Sequence, residues 1–474
     1  MFEIIKNMHN SFVKFLRSCF CSLLVISWIS EPLHGARSVS HYGITWSFST
    51  DCITGVFANG EPWVVGPVTI TEITPLAVTT DPTGAIGGDH GSMVNPIPGT
   101  RQAFEAWLDL GAGGIYNRDY TQPSSNIKDY LPYTAASGDA VVSSITTHLH
   151  VNGTRVDTIC VLTVLASQPP PGSFRPGYFG TDRTIRFNKA DINWSVLANL
   201  PKPSSAPSQA YIETTLPALP WVEWGPGYGT GEMSPKRNGA SYIGGDLGSP
   251  GSTYGREIAY KWSTVALWLN LENTREVKEK AMIQTIQVGI DLHSYLSNIP
   301  GGIGFYADGG HKVGRKFPLF LAAVALNDPV LLSYAANPKL FVEDQCTFIV
   351  QATDVGRKLV PGHVGWTTEM IGMGEWGVKH LYNPEYDDSR FWESDGGVPY
   401  RFAHWPYMFG AVLAAEIMGK KAEWNHEAIF VYNKRFREKA GVGDGFQARI
   451  WEEFEKQARP SQPNPARILR SQNK

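Results

Sequence analysis

Four groups of residues in this chain could carry chemistry. The first lies in GGIGFYADGGHKVGRK, residues 301–316, where Asp308, His311 and Arg315 sit in a glycine-rich stretch that runs straight into the apolar FPLFLAAVAL of 317–326. A polar cluster at the mouth of a buried helix is costly unless something uses it. His311 and Arg315 are four residues apart, so a helix beginning near His311 would put both on one face. The second group is Tyr254, Arg256, Glu257 and Tyr260, at another predicted helix start. The third is WTTEMIGMGEWGVKH (366–380), with Glu369, Glu375, Trp376 and His380. The fourth is YRFAHWPYMFG (400–410), with Tyr400, Arg401, His404 and Trp405 ahead of a second apolar helix.

This inventory is rich in His, Tyr and Arg and poor in paired carboxylates. It suits β-elimination on a uronic acid. Arg or His neutralises the sugar carboxylate as enolate charge develops. A Tyr or His takes the neighbouring proton, and a Tyr hydroxyl protonates the leaving oxygen. On that logic His311, Arg315, Tyr400, Arg401 and His404 are the catalytic candidates. Tyr254, Arg256, Tyr260, Glu375, Trp376 and Trp405 are candidates for holding substrate. A competing reading is hydrolysis by two carboxylates, drawn from Glu223, Asp308, Glu369, Glu375 and Asp395, an inverting glycoside hydrolase. A third is a carbohydrate-binding protein without catalysis, using Trp46, Trp63 and Trp107 as flat stacking faces. Plainer readings stand beside these: Glu369 or Glu375 as a salt-bridge partner on a helix, His380 at a helix C-terminus favoured by the dipole, and most Trp as core.

The elements that must position these groups divide the chain. Residues 37–200 read as an antiparallel β-sandwich-like domain. ITWSF (44–48) and WVVGPVTITEI (63–73) are rich in β-branched and aromatic residues. Asn59-Gly60 between apolar runs predicts a hairpin turn. Strands at 140–150 and 158–165 flank Asn152-Gly153 and predict a hairpin. Asp89-His90-Gly91 reads as a turn, and the alternate pair His148 and His150 as a structural or solvated face. Residues 201–255 read as an ordered Gly/Pro-rich connection. From 256 to 459 the period becomes helical. A helix is predicted at 256–271, and another follows a Thr274 cap with Glu276, Lys278 and Lys280 outward. Further helices are expected at 315–326, 329–336, 407–418 and 446–458, and paired helical hairpins of this kind can close into a toroid. Residues 460–474 read as a disordered tail.

Residues 1–36 read as a secretory signal, with a basic start, a short apolar stretch at 19–29 and small residues at Gly35-Ala36. A secreted or periplasmic protein is expected, with no membrane association after signal removal. Cys52, Cys160 and Cys346 would remain, permitting a disulfide such as Cys52 with Cys160, or three thiols. Three isolated cysteines make no convincing zinc site, and no cofactor or metal is called for. The net charge of -3 gives no reason to expect a nucleic-acid partner.

The helical half, about residues 205–457, resembles the α/α-toroid polysaccharide lyases that act on alginate and related uronic-acid polymers. The likeness rests on GGHKVGRK leading into a buried helix and on Tyr400-Arg401 with His404 before another. The resemblance implies that His311 is a neutraliser or base and Tyr400 the base or acid. It implies that Arg315 or Arg401 holds the carboxylate, and that Asn238, in PKRNGASY, is the neutralising amide of the substrate site. The expected partner is then an anionic polysaccharide.

Overall fold

The structure is a computed structural model that describes residues 35–75, 92–96, 131–147, 155–215, 255–302, 304–305, 313–356, 365–377, 380, 400–441 and 445–458. Residues 1–34, Asp89, His90, Trp107, His148, His150, Asn152-Gly153, Glu223, Asn238, Tyr254, Asp308, His311, Asp395 and the tail lie outside the described residues.

The strands are β1 (Gly35–His41), β2 (Ile44–Val56), β3 (Pro62–Val65), β4 (Val68–Thr74), β5 (Ser92–Val94), β6 (Tyr133–Ala135), β7 (Ala140–Thr147) and β8 (Arg155–Leu165). They form one sheet in the order β5-β7-β8-β3-β2-β4-β6, with β1 also on β2, and the sheet curls into a half-barrel. This corrects the expected sandwich of two facing sheets. The pairing is mostly antiparallel, but β3 and β8 run parallel, Trp63 opposite Thr163. The curl has a local cause. The stretch 63–73, expected as one strand, breaks at Gly66-Pro67, because Pro67 offers no N–H to a ladder. The two pieces pair with different halves of the long β2. Pro62–Val64 take Thr54–Val56, while Ile70–Thr74 take Thr45–Phe48, with a bulge at Ser47/Phe48 that bends the strand. The hairpin of β7 and β8 forms as expected, in register from Ala140↔Thr163 to Thr147↔Arg155. Gly60 makes the β2–β3 turn with φ +88.

Over Ala140–Ser143 of β7 and Ile159–Leu165 of β8 both faces are buried, and alternation sorts the side chains. Val141, Cys160, Leu162 and Val164 point into the curl, against Ile44, Trp46, Phe48 and Ile70. Ala140, Val142, Ile159 and Val161 point the other way and join the helical core. Trp46 is fully buried, its indole donating to Ser143 Oγ at 3.0 Å, and Trp63 is buried too. Neither offers a stacking face to solvent, which corrects that part of the binding-protein reading. Cys52, Cys160 and Cys346 are free thiols, so the Cys52–Cys160 disulfide does not form.

The segment 166–208 runs irregularly over the helices, as its Pro and Gly content dictates, and leads into α1 (Gln209–Thr215). Then come α2 (Gly255–Leu269), α3 (Arg275–Asn298), α4 (Lys316–Leu326), α5 (Pro329–Ala335), α6 (Val342–Gln345), the strands β9 (Thr347–Ile349) and β10 (Gly374–Trp376), α7 (Tyr400–Ile417), α8 (Lys421–Trp424), α9 (Glu427–Ala440) and α10 (Phe446–Ala458). Thr274 caps α3, its hydroxyl accepting from Val277 N–H at 3.4 Å. Lys278 is not outward as expected: it is buried, its amine reaches Asn199 Oδ1 at 3.3 Å, and burial lowers its pKa. The helix α3 meets α4 closely at Gly289, where a Cβ would lie 2.4 Å from the Pro318 carbonyl and 2.6 Å from Ala322.

One buried ion cluster ties the sheet to the helices. Arg175 binds Asp291 of α3 in bidentate fashion, at 2.9 and 2.6 Å, and its Nε donates to Glu61 in the β2–β3 turn. Gln287 brackets the Arg175 backbone, accepting from its N–H and donating to its carbonyl, both at 3.0 Å. Burial pulls the guanidinium down, but Asp291 and Glu61 outweigh it and raise Arg175. Burial pushes Asp291 up to about 7 despite the arginine. Replacing Arg175 with Met leaves both carboxyls buried without this cation. The folded pKa of Asp291 then rises further and that of Glu61 loses the lowering the arginine provides, so the stability they contribute is present below about pH 4 and is lost as pH climbs through the folded values. Urea denaturation of Arg175→Met should show a loss of about 3–5 kcal/mol at pH 8 and a clearly smaller loss at pH 5. Equal losses at both would show that carboxylate burial is not the cause.

Candidate functional site

The sequence groups converge at one end of the helical body. Gly314, on the lead into α4, lies so close to α2 that a Cβ there would stand 2.6 Å from Ala259 Cα and 2.7 Å from its nitrogen. Its φ of +84 also requires glycine. The helices α2 and α7 meet in their N-terminal halves through Tyr260 and Tyr407, whose rings lie edge to face at 6.1 Å. Just beyond, Ser263 donates to the Tyr407 carbonyl at 2.7 Å and accepts from Ala411 N–H at 3.0 Å. Arg401, in the first turn of α7, binds Glu375 of β10 at 2.9 Å. Thus the beginnings of α2, α4 and α7, with the third group attached through Glu375, are gathered together. Each helix start carries partial positive charge on its unbonded N–H groups.

The helix boundaries differ from expectation in two places. The helix after the glycine-rich stretch begins at Lys316, with Arg315 as its N-cap, and His311 lies outside the described residues. The α7 helix begins at Tyr400, so Tyr400, Arg401 and His404 are helical, not on a loop. Glu375 lies on a strand, not a helix, and His380 follows that strand, its ring stacked on Phe348 at 3.4 Å. Glu369 sits on a short 3-10 turn and accepts from the Thr368 hydroxyl at 3.0 Å.

Several candidates prove to be buried framework. Glu375 is fully buried between two arginines, Arg401 and Arg435. Burial would lower Arg401, but Tyr432 and Glu375 outweigh it and raise its pKa. Trp376 and Trp405 are buried, and the Trp405 indole donates to Asn433 at 2.9 Å. Their role as substrate contacts gives way to that of floor. Tyr260 is half-buried, while Arg256, Tyr400 and His404 are placed by their backbone alone.

Arg315 is 2 % exposed and donates to the Val313 carbonyl at 3.1 Å. Burial pushes it down to about 9, with Glu343 and Tyr295 acting the other way. Glu343, 4 % exposed, accepts from Gly314 N–H at 2.7 Å, and burial raises its pKa. Its Oε2 has no hydrogen-bond partner among the described residues. Next to it, Lys316 is wholly buried against Asp344 and donates to the Trp424 carbonyl at 2.8 Å, while the Trp424 indole donates to Asp344 at 3.0 Å. The sequence reading missed Glu343, Asp344 and Arg435. A signal existed for the first two: an acidic pair inside the apolar run LFVEDQCTFIV (340–350) needs cationic partners.

Among the described residues no group of three or more His, Cys, Asp or Glu is placed to hold a metal ion, and no helix is long and apolar enough to cross a membrane. No family model, no curated protein and no solved structure matches the chain.

Two substitutions test the framework. Glu375→Gln strands the buried Arg401 and the half-buried Arg435 and should cost about 3–5 kcal/mol, read from chemical denaturation; a surface carboxylate would change stability by less than about 0.5 kcal/mol. Gly314→Ala adds a methyl against Ala259 and should cost about 1–3 kcal/mol by the same measurement.

Proposed function

We propose that this protein is a secreted polysaccharide lyase that cleaves a uronic-acid-containing anionic polysaccharide by β-elimination. The observation that carries this reading is the convergence of the starts of α2, α4 and α7, each continuous with one of the His/Tyr/Arg groups. Helix starts gathered in this way favour an anion without any net positive charge on the chain, although Glu343 already accepts from the N–H groups at the start of α4. In this reading the helical pairs are an arc of an α/α toroid, with the site at the end where these helices begin.

The roles divide by burial. His311 and Tyr400 are the residues that meet substrate, as neutraliser or base and as base or acid, with His404 and Asn238 assisting. Tyr254, Arg256 and Tyr260 contact the chain of sugars. Arg315 and Arg401 act from beneath as fixed positive charge. Hydrolysis by paired carboxylates draws no support from Glu375, whose two oxygens are committed to arginines.

The test is ultraviolet absorbance of the purified protein with alginate, glucuronan, pectate, ulvan and glycosaminoglycans. Elimination leaves a double bond conjugated to the carboxylate, and hydrolysis does not. Absorbance should rise with at least one polymer and fall by about a hundredfold or more in His311→Ala and Tyr400→Phe, whose denaturation midpoints stay at the parent's. New reducing ends without absorbance would overturn the lyase reading.

A further inference from the structure

A cleft of about 130 Å³ lies between the 174–187 segment, the second half of α3 and the turn from α4 to α5. None of the groups discussed above as lyase machinery lines it. Its apolar wall includes Phe174, buried, and Phe187, half-buried. Its polar wall is assembled from three directions: Asp182 and Arg186 from the segment, His293 and Asn298 from α3, and Asp328 from the turn.

These polar groups are held in place. Asp182 and Arg186 pair at 2.9 Å, and Asp182 also accepts from Thr184 N–H at 2.9 Å. Hydrogen bonds from Thr184 and Arg186 hold Asp182 down to about 2, so it is anionic at any ordinary pH. Asp328 accepts from Leu331 N–H at 2.7 Å, which fixes its carboxylate at the start of α5. His293 stands edge-on to Tyr334 at 4.8 Å, and burial lowers its pKa, so its ring is neutral near pH 7. Asn298 donates to the Ser294 carbonyl at 2.8 Å.

We propose that this cleft binds one uncharged sugar ring. The volume suits one ring, not a stretch of polymer. Two carboxylates and a guanidinium are planar bidentate groups that match the paired hydroxyls of a sugar, while the half-buried Phe187 takes its apolar face. Arg175 also lines the cleft, but Asp291 and Glu61 meet its charge; the remaining fixed charges, Asp182 and Asp328 against Arg186, leave the cleft net negative. A uronate would meet like charge there, so the ligand class differs from that of the lyase site, and the proposal does not depend on the lyase reading.

The experiment is titration calorimetry of the full chain with D-glucose, D-galactose, D-mannose and D-xylose, and with D-glucuronate as the charged control. At least one neutral sugar should bind, with glucuronate weaker by about tenfold or more. Asp182→Asn and Arg186→Gln alter exposed side chains and should each weaken the neutral sugar by about tenfold while His311→Ala leaves it unchanged. Glucuronate binding as tightly as the neutral sugars would overturn the proposal. So would indifference to both cleft variants, or silence with all four neutral sugars.

Discussion

Everything downstream in this fold depends on where α3 lies, and α3 is held by Arg175. A buried cation between two carboxylates is expensive, and such clusters rarely add net stability over apolar packing. This one is nearly complete in its hydrogen bonds. Arg175 takes Asp291 with both terminal nitrogens and Glu61 with Nε. Glu61 in turn accepts from Asn59 and from Val161 N–H of β8. What the cluster supplies is registration: the β2–β3 turn, the edge of β8 and the middle of α3 can meet in one way. An apolar patch of the same area would allow the helix to slide by a turn.

The same device recurs where the helices begin. Lys316 with Asp344 fixes the start of α4 to α6 and to α8 through Trp424. Arg401 with Glu375 fixes the start of α7 to β10, and Arg435 adds α9. Arg315, Lys316, Arg401 and Arg435 thus face Glu343, Asp344 and Glu375, and burial pushes Glu343 toward its neutral form. Four basic and three acidic side chains are set together here, and burial pulls Lys316 and Arg315 down as it pushes Glu343 up. Buried charge is screened little by salt, so the field it sets up persists where exposed lysines would be masked.

Which parts of this were legible follows from physical range. The β7–β8 hairpin, the Asn59-Gly60 turn, the Thr274 cap and helices α2, α4 and α10 are local, and their patterns name them. The single curled sheet was not legible, because β3 pairs with β8 across about a hundred residues and alternation looks the same in a sandwich and a half-barrel. Lys278 was read outward on propensity, but its pocket against Asn199 is tertiary. Arg315 and Arg401 were read as ligand contacts because residue type alone does not distinguish a charge that meets a ligand from one that meets a buried partner. That partner, Glu375 for Arg401, lies 26 residues away in the chain.

The division between contact and support changes what the chemistry can be. An arginine sealed with its carboxylate cannot rotate onto a substrate without leaving that carboxylate buried and unpaired, at a cost of several kcal/mol. Its contribution is a constant field, present before substrate arrives, and preorganised charge of that kind needs no rearrangement as the reaction proceeds. On the proposed lyase reading, proton transfer then falls to the remaining candidates of the original inventory, His311, Tyr400 and His404. Glu375 is unsuited to a carboxylate-pair mechanism for a different reason. The general acid must touch the oxygen it protonates, and Glu375 has one carboxylate oxygen taken by Arg401 and the other by Arg435.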